Sequence, residues 1–134
     1  MKKITNRLII GLTGIALIFM SFTAVKAYAD TTSNIPLCEI TRGLTVGATG
    51  DDVKCLQRYL NWNGYTVATV GVGSPGNESS YFGQLTANAV KQWQNANASV
   101  VLTPLGLTSG TGYWGQASFN YYVTRVHVAL GLAV

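Results

Sequence analysis

The sequence predicts an all-α fold, a compact domain of three helices joined by long loops and preceded by a signal peptide. Three observations carry this. Apolar residues recur at spacings of three and four in three separate segments. The stretches between them are glycine-punctuated and have no helical period. A short motif, Tyr81-Phe82-Gly83-Gln84-Leu85-Thr86, returns as Tyr113-Trp114-Gly115-Gln116-Ala117-Ser118, each time just ahead of a helical segment. Such an internal repeat reads as one helix-starting device used twice.

The first 29 residues read as an export signal. Lys2, Lys3 and Arg7 lead into an apolar run, Leu8 to Phe19, that ends near the small-residue pattern Ala27-Tyr28-Ala29. Its removal leaves 105 of the 134 residues, enough for one hydrophobic core. It also removes Lys2, Lys3, Arg7 and Lys26. Arg42, Lys54, Arg58, Lys91 and Arg125 then balance Asp30, Glu39, Asp51, Asp52 and Glu78, so the formal charge of +4 belongs to the signal. A neutral remainder gives no electrostatic footprint for nucleic acid or for a polybasic membrane patch, and no stable membrane insertion is expected after cleavage. After export, Cys38 and Cys55 meet an oxidising environment. A bridge between them would close a loop worth about 3 kcal/mol of chain entropy, the alternative being two buried free thiols.

Residues 30–37 read as a flexible leader and residues 38–126 as the folded domain. Leu44 to Gly50 is an extended stretch that stops at Asp51, a favoured N-cap, with Asp52 adding negative charge at the start of a helix. Val53, Leu56, Tyr59 and Leu60 form the inward face of this first helix, Lys54, Gln57, Arg58 and Asn61 lie mostly outward, and Gly64 ends it. Tyr65 to Ser80 reads as a strand-like start followed by an exposed loop. The second helix runs from about Gln84 to Ala96, with Leu85, Ala89, Val90 and Trp93 inward. A second loop, Val100 to Gly112, precedes a third helix built on Phe119, Tyr122, Val123 and Val126. The apolar tail, residues 127–134, is too short to span a bilayer and either continues this helix or packs across the domain.

The ordered set Leu44, Gly47, Gly50-Asp51-Asp52-Val53, Leu56-Gln57, Leu60, Gly64-Tyr65, Tyr81-Phe82-Gly83, Thr86, Ala89-Val90, Trp93-Gln94 and Tyr113-Trp114-Gly115 resembles the three-helix peptidoglycan-binding domain that accompanies many cell-wall hydrolases. The resemblance covers roughly Leu44 to Val123. It implies a compact three-helix domain that holds an exported protein against the bacterial wall. The expected function is therefore a secreted, wall-associated, non-catalytic module. Its expected partner is peptidoglycan, through the glycan strand, the stem peptide or both. The same fold also serves protein contacts, so a cell-surface protein is the alternative partner.

Glycan recognition favours flat aromatic faces for the C–H bonds of a sugar ring, with amides and hydroxyls for its substituents. Tyr81 and Tyr113, the first residues of the two motifs, are therefore candidate ligand contacts, as are Gln84 and Gln116. Phe82 and Trp114 occupy equivalent places and either fill the core or reach the surface; Trp114 is carried as a further candidate. Trp93 and Phe119 lie on inward stripes and are assigned to the core. Arg58 is a candidate for a stem-peptide carboxylate, and Gly83 and Gly115 bring backbone N–H groups to the helix starts. Asp51 and Asp52 are explained by capping, and adjacent helix residues point apart, so they make no acid–base pair. His127 is the sole histidine; neither a metal site nor a cofactor is expected.

Overall fold

A computed structural model describes residues 34–132. The expected signal peptide, the first part of the expected leader and the last two residues of the tail lie outside the described residues. The helices are α1 (Asp51–Trp62), α2 (Gln84–Ala96), α3 (Ala98–Val101) and α4 (Gln116–Ala129), with a 3-10 turn at Thr103–Leu105 between the last two. The expected all-α architecture is present, with two short elements more than expected: α3 and the 3-10 turn, which lie across the start of the second loop. Tyr65 begins no strand, and among the described residues the only β pairings are two isolated bridges, Leu44 with Trp114 and Thr49 with Tyr81.

Helix α1 forms because Val53, Leu56, Tyr59 and Leu60 share one stripe and bury completely. It stops at a Schellman turn, in which the N–H of Tyr65 bonds the carbonyl of Leu60 at 2.9 Å and that of Gly64 bonds Asn61 at 3.1 Å. Gly64 takes φ 85°, the left-handed conformation this turn requires. At its other end the N-cap is Gly50, not Asp51, and no side chain caps it. Asp51 is exposed, while the carboxylate of Asp52 pairs with Arg42, Nε to Oδ2 at 2.8 Å, and its Oδ1 accepts the Val53 N–H at 2.9 Å.

Two side chains face opposite to expectation. Gln57, expected outward, is 1% exposed. It lies between Val53 and Leu60 on the buried stripe, so its position follows the period and its polarity is met by hydrogen bonds. Leu85, expected inward, is 55% exposed. The buried face of α2 is Thr86, Ala87, Ala89, Val90, Trp93 and Gln94, and Leu85 stands roughly 120° round the helix from the middle of that set.

The core is aromatic. Trp93 and Trp114 lie 4.7 Å apart between ring centroids, Tyr59 meets Tyr122 edge-on at 4.7 Å, and Tyr59 also meets Trp93 and Trp114 edge-on at 6.3 and 6.2 Å. Each such pair adds about 0.5–1.5 kcal/mol beyond area burial. Burial pushes the Tyr59 hydroxyl up to about 12.

The packed part begins upstream of Cys38, because Ile35 and Ile40 are buried. The Tyr122 hydroxyl donates to the Pro36 carbonyl at 2.9 Å and accepts the Cys38 N–H at 2.6 Å. Cys38 and Cys55 are bridged, Cα to Cα 5.5 Å, which fastens this segment to α1. The tail's first residues, His127 to Ala129, continue α4, which ends in a second Schellman turn with Leu132 N–H on the His127 carbonyl at 2.9 Å.

Candidate functional site

The repeat is built around two buried glutamines. Gln57 of α1 donates to the Tyr81 carbonyl and to the Thr86 hydroxyl, both at 2.9 Å, and accepts the Ser79 N–H at 2.8 Å. Gln94 of α2 donates to the Tyr113 carbonyl at 2.8 Å and to the Ser118 hydroxyl at 3.1 Å. It accepts the N–H groups of Thr111 and Gly112 at 2.9 and 3.0 Å. Each glutamine thus grips the loop that leads into the next motif-bearing helix and fixes the tyrosine at its start. Both are almost solvent-free, so every one of these bonds offsets a desolvation cost.

Between the two motif copies runs the segment Leu44 to Gly50. Leu44 exchanges both backbone bonds with Trp114 at 2.9 and 3.1 Å, while Gly47 donates to the Phe82 carbonyl and Phe82 to that of Ala48, each at 2.9 Å. Both copies are pinned to one short stretch of chain. The second aromatic residue of each motif, Phe82 or Trp114, points from these bridges into the core. Trp114 is 1% exposed, which removes it as a ligand contact: its indole fills the space between Trp93, Tyr59 and Tyr122. The preceding tyrosines face the other way. Tyr81 is 53% and Tyr113 50% exposed.

Gly83 and Gly115 cap α2 and α4 with φ −93° and −102°, values open to any residue. At Gly115 the need for glycine is spatial, whereas a methyl group at Gly83 would meet the Tyr81 ring at an ordinary 3.4 Å. A methyl group at Gly115 would come within 2.6 Å of the Tyr113 ring, and one at Gly43 would overlap the Tyr113 hydroxyl. Tyr113 therefore lies flat against backbone, held between Gly43 and Gly115.

Two clefts flank Tyr113. One, of about 380 Å³, is half polar and is lined by Ile40, Thr41, Arg42, Gly43, Gln116 and Phe119 together with Tyr113 and Gly115. The other, of about 210 Å³, is apolar and is walled by Val101, Leu102, Leu105, Leu107 and Ala117, again with Tyr113, Gly115 and Gln116. Arg42 in the first cleft is oriented by Asp52 and by the Thr49 carbonyl, 2.6 Å from Nη2. The guanidinium hydrogen bond holds the Asp52 carboxyl below its usual range. Among the described residues no group of three or more His, Cys, Asp or Glu side chains converges to hold a metal ion. The groups the clefts offer are aromatic faces, amides, hydroxyls and an ion-paired guanidinium.

The structure therefore brings Tyr113 and Gln116 together and adds Arg42, Thr41 and Gly43, which lie in the stretch ahead of α1. Tyr81 and Gln84 stand at the start of α2 and line neither cleft. Arg58 is exposed on α1, apart from both clefts, and its charge acts on Glu78. The signal that points to the two glutamines is in the sequence, where each follows a large core residue, as Leu56-Gln57 and Trp93-Gln94, one helix ahead of a motif copy.

Residues 49–100 match the family model described as "Putative peptidoglycan binding domain". Over this segment the chain is similar to that peptidoglycan-binding family. The match spans α1, the first motif copy, α2 and the start of α3, and ends ahead of Tyr113. The second copy joins the domain through its own geometry, since Gln94, inside the matched segment, holds Tyr113 as Gln57 holds Tyr81. No curated protein and no solved structure matches the chain. No helix among its described residues is long and apolar enough to cross a membrane.

Proposed function

We propose that this chain is an exported, non-catalytic module that binds peptidoglycan through the face around Tyr113 and so tethers to the wall. The observation that carries the reading is the placement of Tyr113. Its half-exposed ring is held against Gly43 and Gly115 between a half-polar and an apolar cleft. A ring so fixed loses little freedom when a sugar packs on it, and Gln116 and Thr41 supply amide and hydroxyl partners for ring substituents. The charge balance of the residues after the signal suits a largely neutral polymer. A shallow site of this kind binds weakly and works best at high local concentration.

The test is retention on purified wall sacculi. The chain should sediment with them, and Tyr113→Ala should lower retention several-fold without loss of helical content. Wild-type protein left in the supernatant refutes the proposal. One observation favours a second reading, a module for protein contacts at the cell surface: Val100, Leu105 and Leu107 are exposed beside the apolar cleft. Copurification with a surface protein that Leu105→Asp abolishes, with wall retention absent, would establish it.

A further inference from the structure

The two motif copies invert the usual relation between burial and identity. At buried positions they differ, with Phe82 against Trp114 and Thr86 against Ser118. Of the positions exposed in the first copy, Leu85 against Ala117 also differs, but three are identical: Tyr81 with Tyr113, Gln84 with Gln116, and Asn88 with Asn120. These groups are also arranged alike. Gln84 Nε2 donates to Asn88 Oδ1 at 3.1 Å, Gln116 Nε2 donates to Asn120 Oδ1 at 2.7 Å, and each tyrosine ring lies over the glycine that follows it by two.

Core packing alone requires the reverse pattern, because exposed substitutions usually shift stability by no more than about 0.5 kcal/mol. A Gln–Asn pair one turn apart contributes only about 0.2–0.5 kcal/mol to a helix. A surface trio displayed twice with its hydrogen bond intact therefore points to a shared ligand. Resting on the reading of Tyr113 given above, we infer that Tyr81, Gln84 and Asn88 form a second half-site. It takes the same class of ligand as Tyr113, Gln116 and Asn120, a neutral sugar unit bearing hydroxyl and amide groups.

The chemistry of the trio fits that class. The tyrosine offers a face to the sugar ring. Each glutamine spends one N–H on its asparagine and keeps a second N–H and its carbonyl for the ligand, while the asparagine keeps both of its own N–H groups. The internal bond orients these amides before binding and lowers the ordering cost. A polymer that repeats its sugar unit presents many copies to two half-sites, so a module with two weak contacts gains avidity that one contact lacks.

The test is an NMR titration of the ¹⁵N-labelled chain with a soluble fragment carrying one disaccharide repeat of the wall glycan. Two clusters of amide shifts are expected, over Tyr81–Asn88 and over Tyr113–Asn120. Tyr81→Ala should silence the first cluster alone, Tyr113→Ala the second alone, and Tyr81→Phe, which keeps the ring, should preserve the first. On sacculi each alanine variant should retain several-fold less protein and the double variant almost none. Shifts confined to the second cluster, with Tyr81→Ala retention equal to wild type, would overturn the second half-site and leave the Tyr113 site standing. Absence of shifts in both clusters, with wild-type protein in the sacculus supernatant, would overturn both.

Discussion

At the scale of single residues, the domain depends on a few polar groups that the interior fully encloses. Replacing Gln94 with Leu keeps the volume but strands the Tyr113 carbonyl and the N–H groups of Thr111 and Gly112. Each stranded group costs about 1–3 kcal/mol, so unfolding in urea should shift to clearly lower concentration by at least about 2 kcal/mol. The same is expected of Gln57→Leu, and an effect under about 0.5 kcal/mol in both would show that water replaces the glutamine. Gly115→Ala probes the site instead of the fold, because its methyl displaces the Tyr113 ring while φ −102° stays permissible. Wall retention should fall several-fold with little change in melting temperature.

Acid sensitivity is also a residue-scale matter. The Asp52 carboxyl is held low by its hydrogen bond from Arg42. Burial pushes Glu78 up, but hydrogen bonds from Asn61 and the Gly76 N–H outweigh it and leave its value lowered. A carboxyl whose folded value is depressed stabilises the fold above its unfolded value, near about 4, and this contribution is lost as pH falls through the folded value. Melting temperature should therefore drop on acidification below about pH 4, and the drop should be shallower in Asp52→Asn. An acid limb identical in the variant would show that the Arg42 pair carries no part of it.

At the scale of elements, the helices are set by their stripes and their ends. Gly64→Ala forces a side chain into φ 85° at the C-terminal turn of α1 and should cost about 1 kcal/mol in chemical denaturation. The inward and outward faces were legible wherever polarity and period agreed, as with Val53, Leu56 and Leu60. They were illegible at Gln57, because a polar residue on an apolar stripe is buried only if another part of the chain supplies its partners. Leu85 shows the converse, since an apolar residue that stands roughly 120° round the helix from the middle of its buried face stays outside. Helix α3 escaped notice for a related reason: one turn of helix has no period to read.

At the scale of the whole molecule, the disulfide and the segment Leu44 to Gly50 join parts that are distant in sequence. Cys38→Ser with Cys55→Ser should lower stability by about 3 kcal/mol, by calorimetry or denaturant, and loosen Ile35 to Ile40 first. Equal stability of oxidised and reduced protein would show that Ile35, Ile40 and the Tyr122 hydrogen bonds hold the segment unaided. What the sequence determined by itself is the local content: helix positions to within a few residues, the aromatic core candidates, the twofold motif and the family likeness, all of which follow from spacing along one chain. Which motif residues face solvent, and which residues from elsewhere stand beside them, was decided only by tertiary structure. Trp114 and Tyr113 are adjacent in sequence, and their opposite fates come from the backbone bridge to Leu44, which turns one ring into the core and lays the other across Gly43.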